Sequence, residues 1–245
     1  MVTSNSKKPI KALAALPRGA PLDAAALRTL GASSSLTSHY VRSGWLARLG
    51  RGVFMFPADQ LEAPAAVQFL SRHLPGLHVG GKTALAWRGV RHNVGPRERL
   101  VLWGNAPGSL PSWFTERFPS RYVLRRLFST SLPADFGLQP LPETPDGPAV
   151  AVPERALLEL LDDVGVNQGL EEARNIMEGV RSVRLDVLGT LLAHCPRVKA
   201  VRLCLSLAED MNLSWAAEAR KLAGPRGRGR WVSKLPDGTT LILKP

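Results

Sequence analysis

Only two cysteines occur in the 245 residues, Cys195 and Cys204. They stand in one apolar helical stretch with no His or Cys cluster beside them. That spacing argues against a zinc site and leaves two ordinary buried thiols. No run of about 18 apolar residues exists, so no transmembrane helix is expected. The opening MVTSNSKKPIKALAALPRG has lysines but only a weak apolar stretch, Ile10–Leu16. It reads as a short amphipathic helix rather than a signal peptide, and the chain is expected to be cytoplasmic. Several motifs of catalysis are missing as well. There is no H-E-x-x-H, no G-x-S-x-G elbow, and no D-x-D pair after Gly80–Gly81 for a two-metal nucleotidyl transfer. Acidic charge is scarce too, with 20 Asp and Glu against 32 Lys and Arg, for a net +12.

The excess is uneven. Residues 1–60 carry eight cations and two acids, residues 151–223 nine and eleven, and the tail from 224 five and one. Basic ends around a near-neutral middle suggest separate positive surfaces, and nucleic acid is the commonest polyanion to account for them. An apolar fraction of 44% is enough for an ordinary packed core. The length suits one large domain or a small one plus a medium one.

The first sixty residues carry the sharpest pattern. A helix over 22–30 ends at Gly31. Ser33 or Ser34 caps a third helix running to about Ser43, with Leu36, Tyr40 and Val41 inward. Its other face offers Ser34, Ser35, Thr37, Ser38 and Arg42, short hydroxyls and one cation suited to phosphates or base edges. Gly44 stops the helix, and Trp45 is expected to anchor the corner. WLARL and VFMF then form a two-stranded ribbon around a GRG turn, with Arg48 and Arg51 as wing cations. Three short helices and a ribbon make a winged helix-turn-helix over residues 1–60.

Residues 61–245 read as a larger, helix-rich α+β domain, making the chain mixed α/β with two domains. Strands are expected at 98–104 and 122–128, with Arg125 and Arg126 on opposite faces. Helices follow at 153–164, 168–180, 185–194, 198–211 and 214–222. A hairpin turns at Asp237–Gly238. The helix from Pro153 presents Leu157, Leu158 and Leu161 as its core stripe. Asp162 and Asp163 are expected on a solvated acidic face, and 133–148 as an exposed excursion. Lys82, Arg226, Arg228 and Arg230 are candidates to extend a DNA footprint, within patches at 82–99 and 226–234. The five histidines, 39, 73, 78, 92 and 194, are expected to be structural or solvent-facing.

Residues 76–83, GLHVGGKT, satisfy the P-loop pattern. A helix-like segment precedes it, the apolar triplet Leu77–Val79 lies inside the supposed loop, and no strand ending in Asp follows. A nucleotide-dependent enzyme is therefore the weakest of three readings.

The segment PLDAAALRTLGASSSLTSHYVRSGWLARLGRGVFMF resembles the N-terminal domain of AbiEi-type antitoxins of type IV toxin–antitoxin systems. The form GWLxRLGRGVF runs from Gly44 to Phe54. The likeness continues through VGGKTALAWRGV at 79–90 and AVPERALLELLDD at 151–163. The resemblance implies a non-enzymatic transcriptional autorepressor binding operator DNA through its winged helix; from the residue patterns no cofactor or metal is expected. The resemblance also implies a C-terminal antitoxin domain that counters a nucleotidyltransferase-like toxin, directly or functionally. A module that binds the toxin without tight DNA binding is the rival reading.

Overall fold

A computed structural model describes residues 13, 15–90, 99–236 and 238–245. Most of the helix expected up to Leu16 (residues 1–12 and 14), residues 91–98 of the 82–99 patch, with His92, and the hairpin tip Asp237 lie outside them. In chain order the strands are β1 (Leu22–Asp23), β2 (Ala47–Gly50), β3 (Val53–Met55), β4 (His78–Val79), β5 (Leu100–Gly104), β6 (Ser120–Leu124), β7 (Leu138–Gln139), β8 (Val150–Ala151), β9 (Trp231–Lys234) and β10 (Thr240–Leu243). The helices are α1 (Ala24–Thr29), α2 (Ser34–Arg42), α3 (Ala63–Ser71), α4 (Gly81–Trp87), α5 (Ser112–Thr115), α6 (Pro153–Asp162), α7 (Leu170–Glu178), α8 (Leu185–Ala193), α9 (Val198–Asp210) and α10 (Ala216–Ala223). They fall into two compact units. One holds residues 1–73 and 110–118, and the other holds 74–109 and 119–245. The smaller unit thus runs past the expected boundary at 60 and takes back a later segment.

The smaller unit is a winged helix. Asp23 caps α1 by accepting the Ala26 N–H, and Ser33 caps α2 by accepting the Leu36 N–H at 3.2 Å. Gly31, at φ 86°, and Gly44, at φ 75°, end the two helices in the left-handed region that favours glycine. The sheet is three-stranded in the order β1-β3-β2, where a two-stranded ribbon was expected. The two-residue β1 pairs Leu22 with Phe54 and Asp23 with Val53. Leu22, Leu27, Ala32, Tyr40, Leu46, Phe54 and Phe56 form the core, with Leu36 and Val41 partly buried against it. Leu46, not Trp45, anchors the corner. Both amides donate to Tyr40 O, at 2.9 Å from Trp45 and 3.1 Å from Leu46, but the Trp45 side chain is 57% exposed. Beneath the wing lies Trp113 of α5, edge-on to Phe69 of α3 with centroids 6.0 Å apart. A Cβ on Gly50 would meet its ring at 2.8 Å, so β2 passes there only as glycine.

The larger unit centres on a mixed sheet in the order β6-β5-β4-β8-β7 and on a separate β9–β10 hairpin. The β5–β6 and β4–β8 pairs are parallel, while β4–β5 and β7–β8 are antiparallel. The 133–148 run is not wholly an excursion, since it contributes the edge strand β7. The second expected strand stops at Leu124, so Arg125 and Arg126 lie beyond it rather than on its two faces.

α6 is buried on every side, a wider burial than a Leu157–Leu158–Leu161 stripe. Buried charges must be paired, and those of α6 are. Glu154 accepts from the backbone and guanidinium of Arg184, which lowers its pKa against the opposing effect of burial. Asp162 and the following Asp163 bond Arg125 and Arg121. The solvated acidic face is therefore a correction. Both carboxylates are buried because Arg121, near the start of β6, and Arg125, just past its end, reach them.

Cys195 and Cys204 are free and buried. Burial pushes their thiols up to about 11 and about 12. Thiolate is the reactive form, so neither should be alkylated near neutral pH in the folded protein, and both should react in denaturant. Mass spectrometry after brief iodoacetamide treatment checks this.

Candidate nucleic-acid interface

α2 sorts its residues by helical spacing. Tyr40 turns inward, and Thr37, three positions earlier, is carried in with it. Thr37 is 6% exposed, which corrects its expected place on the outer face. Ser34, Ser35, Ser38 and Arg42 are exposed on that face as expected. The wing is closed by Gly52 at φ 72°, where a side chain would find open space out to 4 Å but the backbone conformation itself favours glycine. A register shift between Arg48 and Gly50 adds a β-bulge, which bends the ribbon and increases its twist. The Ala24 N–H donates to Gly52 O at 3.0 Å, tying the start of α1 to the wing turn.

Arg48 stands opposite Phe54 with its guanidinium 5.5 Å from the ring centroid, and Arg51 is exposed at the turn. A cleft of about 190 Å³ opens between α2 and the wing, lined among others by Arg28, Ser34, Thr37, Ser38 and Arg48. Among the described residues no acid pairs with Arg28, Arg42, Arg48 or Arg51. Arg28 was not among the expected contacts, and Trp45, expected as a buried anchor, is exposed. Arg28 could have been found from its place in the last turn of α1, just before the helix-turn-helix corner.

The candidates in the larger unit separate. Lys82 pairs with Glu172 at 2.8 Å, and Arg226 folds back to donate to Leu192 O at 2.5 Å. Arg228 and Arg230 are exposed. The P-loop-like stretch does not form a phosphate cradle. His78 and Val79 are strand residues, and the Gly81 N–H donates to the buried Glu159 Oε2 at 3.1 Å. Thr83 Oγ1 accepts the Val101 N–H at 2.8 Å, so the threonine serves the sheet. Among the described residues no group of three His, Cys, Asp or Glu could hold a metal ion. None of the described helices is long and apolar enough to cross a membrane.

Residues 5–95 match a family model described as transcriptional regulator, AbiEi antitoxin N-terminal domain. Residues 97–239 match one described as transcriptional regulator, AbiEi antitoxin, type IV TA system. No curated protein matches the chain. Among solved structures, the RV2827C protein from Mycobacterium tuberculosis has a similar fold, with a TM-score of 0.56 at 17% identity, covering 89% of this chain and 80% of that one. With two contiguous matches spanning nearly its whole length, the chain belongs to the AbiEi antitoxin family of transcriptional regulators from type IV toxin–antitoxin systems.

Proposed function

We propose that this chain represses its own toxin–antitoxin operon by laying α2 in the major groove of operator DNA, with the wing on the adjacent backbone. The observation that carries the reading is the exposure of Ser34, Ser35, Ser38 and Arg42 on α2 and of the acid-free Arg48 and Arg51 on the wing, with Ser34, Ser38 and Arg48 sharing one cleft. Small hydroxyl side chains let a helix approach base edges closely, while guanidinium groups fix its register on phosphates. Arg28 joins this set, and Arg228 and Arg230 are the remaining phosphate-contact candidates in the larger unit. Lys82 and Arg226 leave it, because their head groups are engaged internally. The protein acts as antitoxin against a nucleotidyltransferase-like toxin encoded beside it.

Gel shifts on upstream DNA across a salt series test the DNA reading. Arg51→Ala should weaken binding to every sequence and reduce the slope of log K against log salt by about 0.9, the value for one lost phosphate contact. Ser38→Ala should instead change the ranking of operator variants, while the buried Thr37→Val should leave that ranking alone. An Arg51→Ala protein with unchanged affinity and slope would rule out the wing's role. Tight co-purification with the neighbouring gene product, together with no operator binding, would favour the rival toxin-binding module.

A further inference from the structure

The larger unit contains a second cationic concavity, remote in sequence from the winged helix. A cleft of about 190 Å³ is walled by the 125–134 segment on one side and by β5 and α6 on the other. Its lining includes Trp103, Asn105, Arg126, Ser129, Thr130 and Arg155. The Trp103, Arg126 and Arg155 side chains there are donors only, and those of Asn105, Ser129 and Thr130 can donate. The carboxylate in the wall, Glu159, is already engaged. It accepts from His78 Nε2 and Arg155 Nε, each at 2.9 Å, and from the Gly81 N–H.

One buried side-chain donor in the cleft's lining lacks a partner among the described residues. The Trp103 indole N–H is buried and has no partner. Arg155 uses Nε and Nη1 on Glu159, Ala134 O and Phe136 O, and no bond is made by its Nη2. A buried donor without an acceptor is costly, and here it is the Trp103 N–H; with the other donors of the lining it suits an acceptor-only ligand. The walls are also fixed beforehand. The Ser129 N–H donates to His194 O at 2.8 Å, and the Arg155 guanidinium is stacked 5.2 Å from the Phe128 ring centroid.

We propose that this cleft binds a small oxyanion, either free phosphate or the phosphate group of a small phosphomonoester. Arg126 meets the anion at the rim, the Thr130 hydroxyl bonds its oxygens, the Ser129 hydroxyl joins by donating its proton while accepting from Ser131 Oγ at 2.8 Å, and Arg155 and the Trp103 N–H hold its inner side. Guanidinium groups suit this task because their planar donors match the spacing of phosphate oxygens.

The test follows the Trp103 indole resonance in ¹⁵N–¹H NMR spectra of the full chain, assigned by loss of the peak in Trp103→Phe. Inorganic phosphate and glycerol phosphate are titrated separately, with sodium chloride at equal ionic strength as control. Saturable movement with inorganic phosphate identifies a free-phosphate site, and movement with glycerol phosphate alone identifies a phosphomonoester site. Arg126→Ala, or Thr130→Val should that variant fail to fold, should raise the apparent Kd, by roughly ten-fold or more for the arginine. Both replaced side chains are exposed. No saturable shift, an equal shift with chloride, or an unchanged Kd in the variant would overturn the site and leave a hydrated cleft. None of these outcomes bears on operator binding by α2.

Discussion

Glu159→Ala is expected to destabilise the larger unit by about 3–5 kcal/mol, the usual cost of removing one member of a buried ion pair. Glu159 is wholly buried, and its carboxylate joins three separate parts of the chain: His78 of β4, Arg155 one helical turn back on α6, and the amide that opens α4. Alanine would strand a guanidinium, an imidazole and a backbone N–H together in the interior. Denaturant titration read by tryptophan fluorescence measures the loss. A change under about 0.5 kcal/mol, the ordinary range for surface sites, would show that solvent reaches the cluster.

The same residue gives the pH dependence a sign. Burial alone would raise the Glu159 pKa, but the charges and hydrogen bonds of His78 and Arg155 outweigh it and hold the carboxyl below its ordinary 4.5. The unfolded chain therefore binds this proton more readily than the folded one. The contribution to stability is fully present above the unfolded value and is lost as pH falls through the depressed folded value. Glu159→Gln keeps the shape and removes the charge. It should flatten the acid limb of the stability profile relative to the parent.

Reversing both wing charges, Arg48→Glu with Arg51→Glu, should reduce operator affinity by on the order of 100-fold or more at physiological salt. Two phosphate contacts would be lost and two repulsions gained. The fold should survive, because both side chains are exposed and Arg48's ring contact with Phe54 is a surface contact. Circular dichroism would verify folding while fluorescence anisotropy measures binding. Retained affinity would mean that the wing stands off the DNA.

Much of the winged helix was legible because its signals are local. Ser33 as a cap, the glycine stops and the GRG turn each act within a few residues of where they stand. The helices of the larger unit were legible for a similar reason, through apolar spacing. What escaped depended on distant partners. β1 is two residues long and becomes a strand only by pairing with β3. Asp162 and Asp163 looked like surface acids until Arg125 and Arg121 supplied long-range partners. Thr37 is different, because its inward turn followed from Tyr40 three residues later and was available from the helical period alone. Trp45 and Leu46 show the limit of residue type as a guide. The larger aromatic ring suggested the anchor, but the backbone turn after Gly44 directs the leucine inward instead.

The return of residues 110–118 to the winged helix constrains how that module can be isolated. A fragment ended at residue 73 would keep the helices and wing yet lose the indole that closes against Gly50 and Phe69. Excision at that point would uncover an apolar underside, so a faithful minimal winged-helix piece must splice the later segment back by a designed linker.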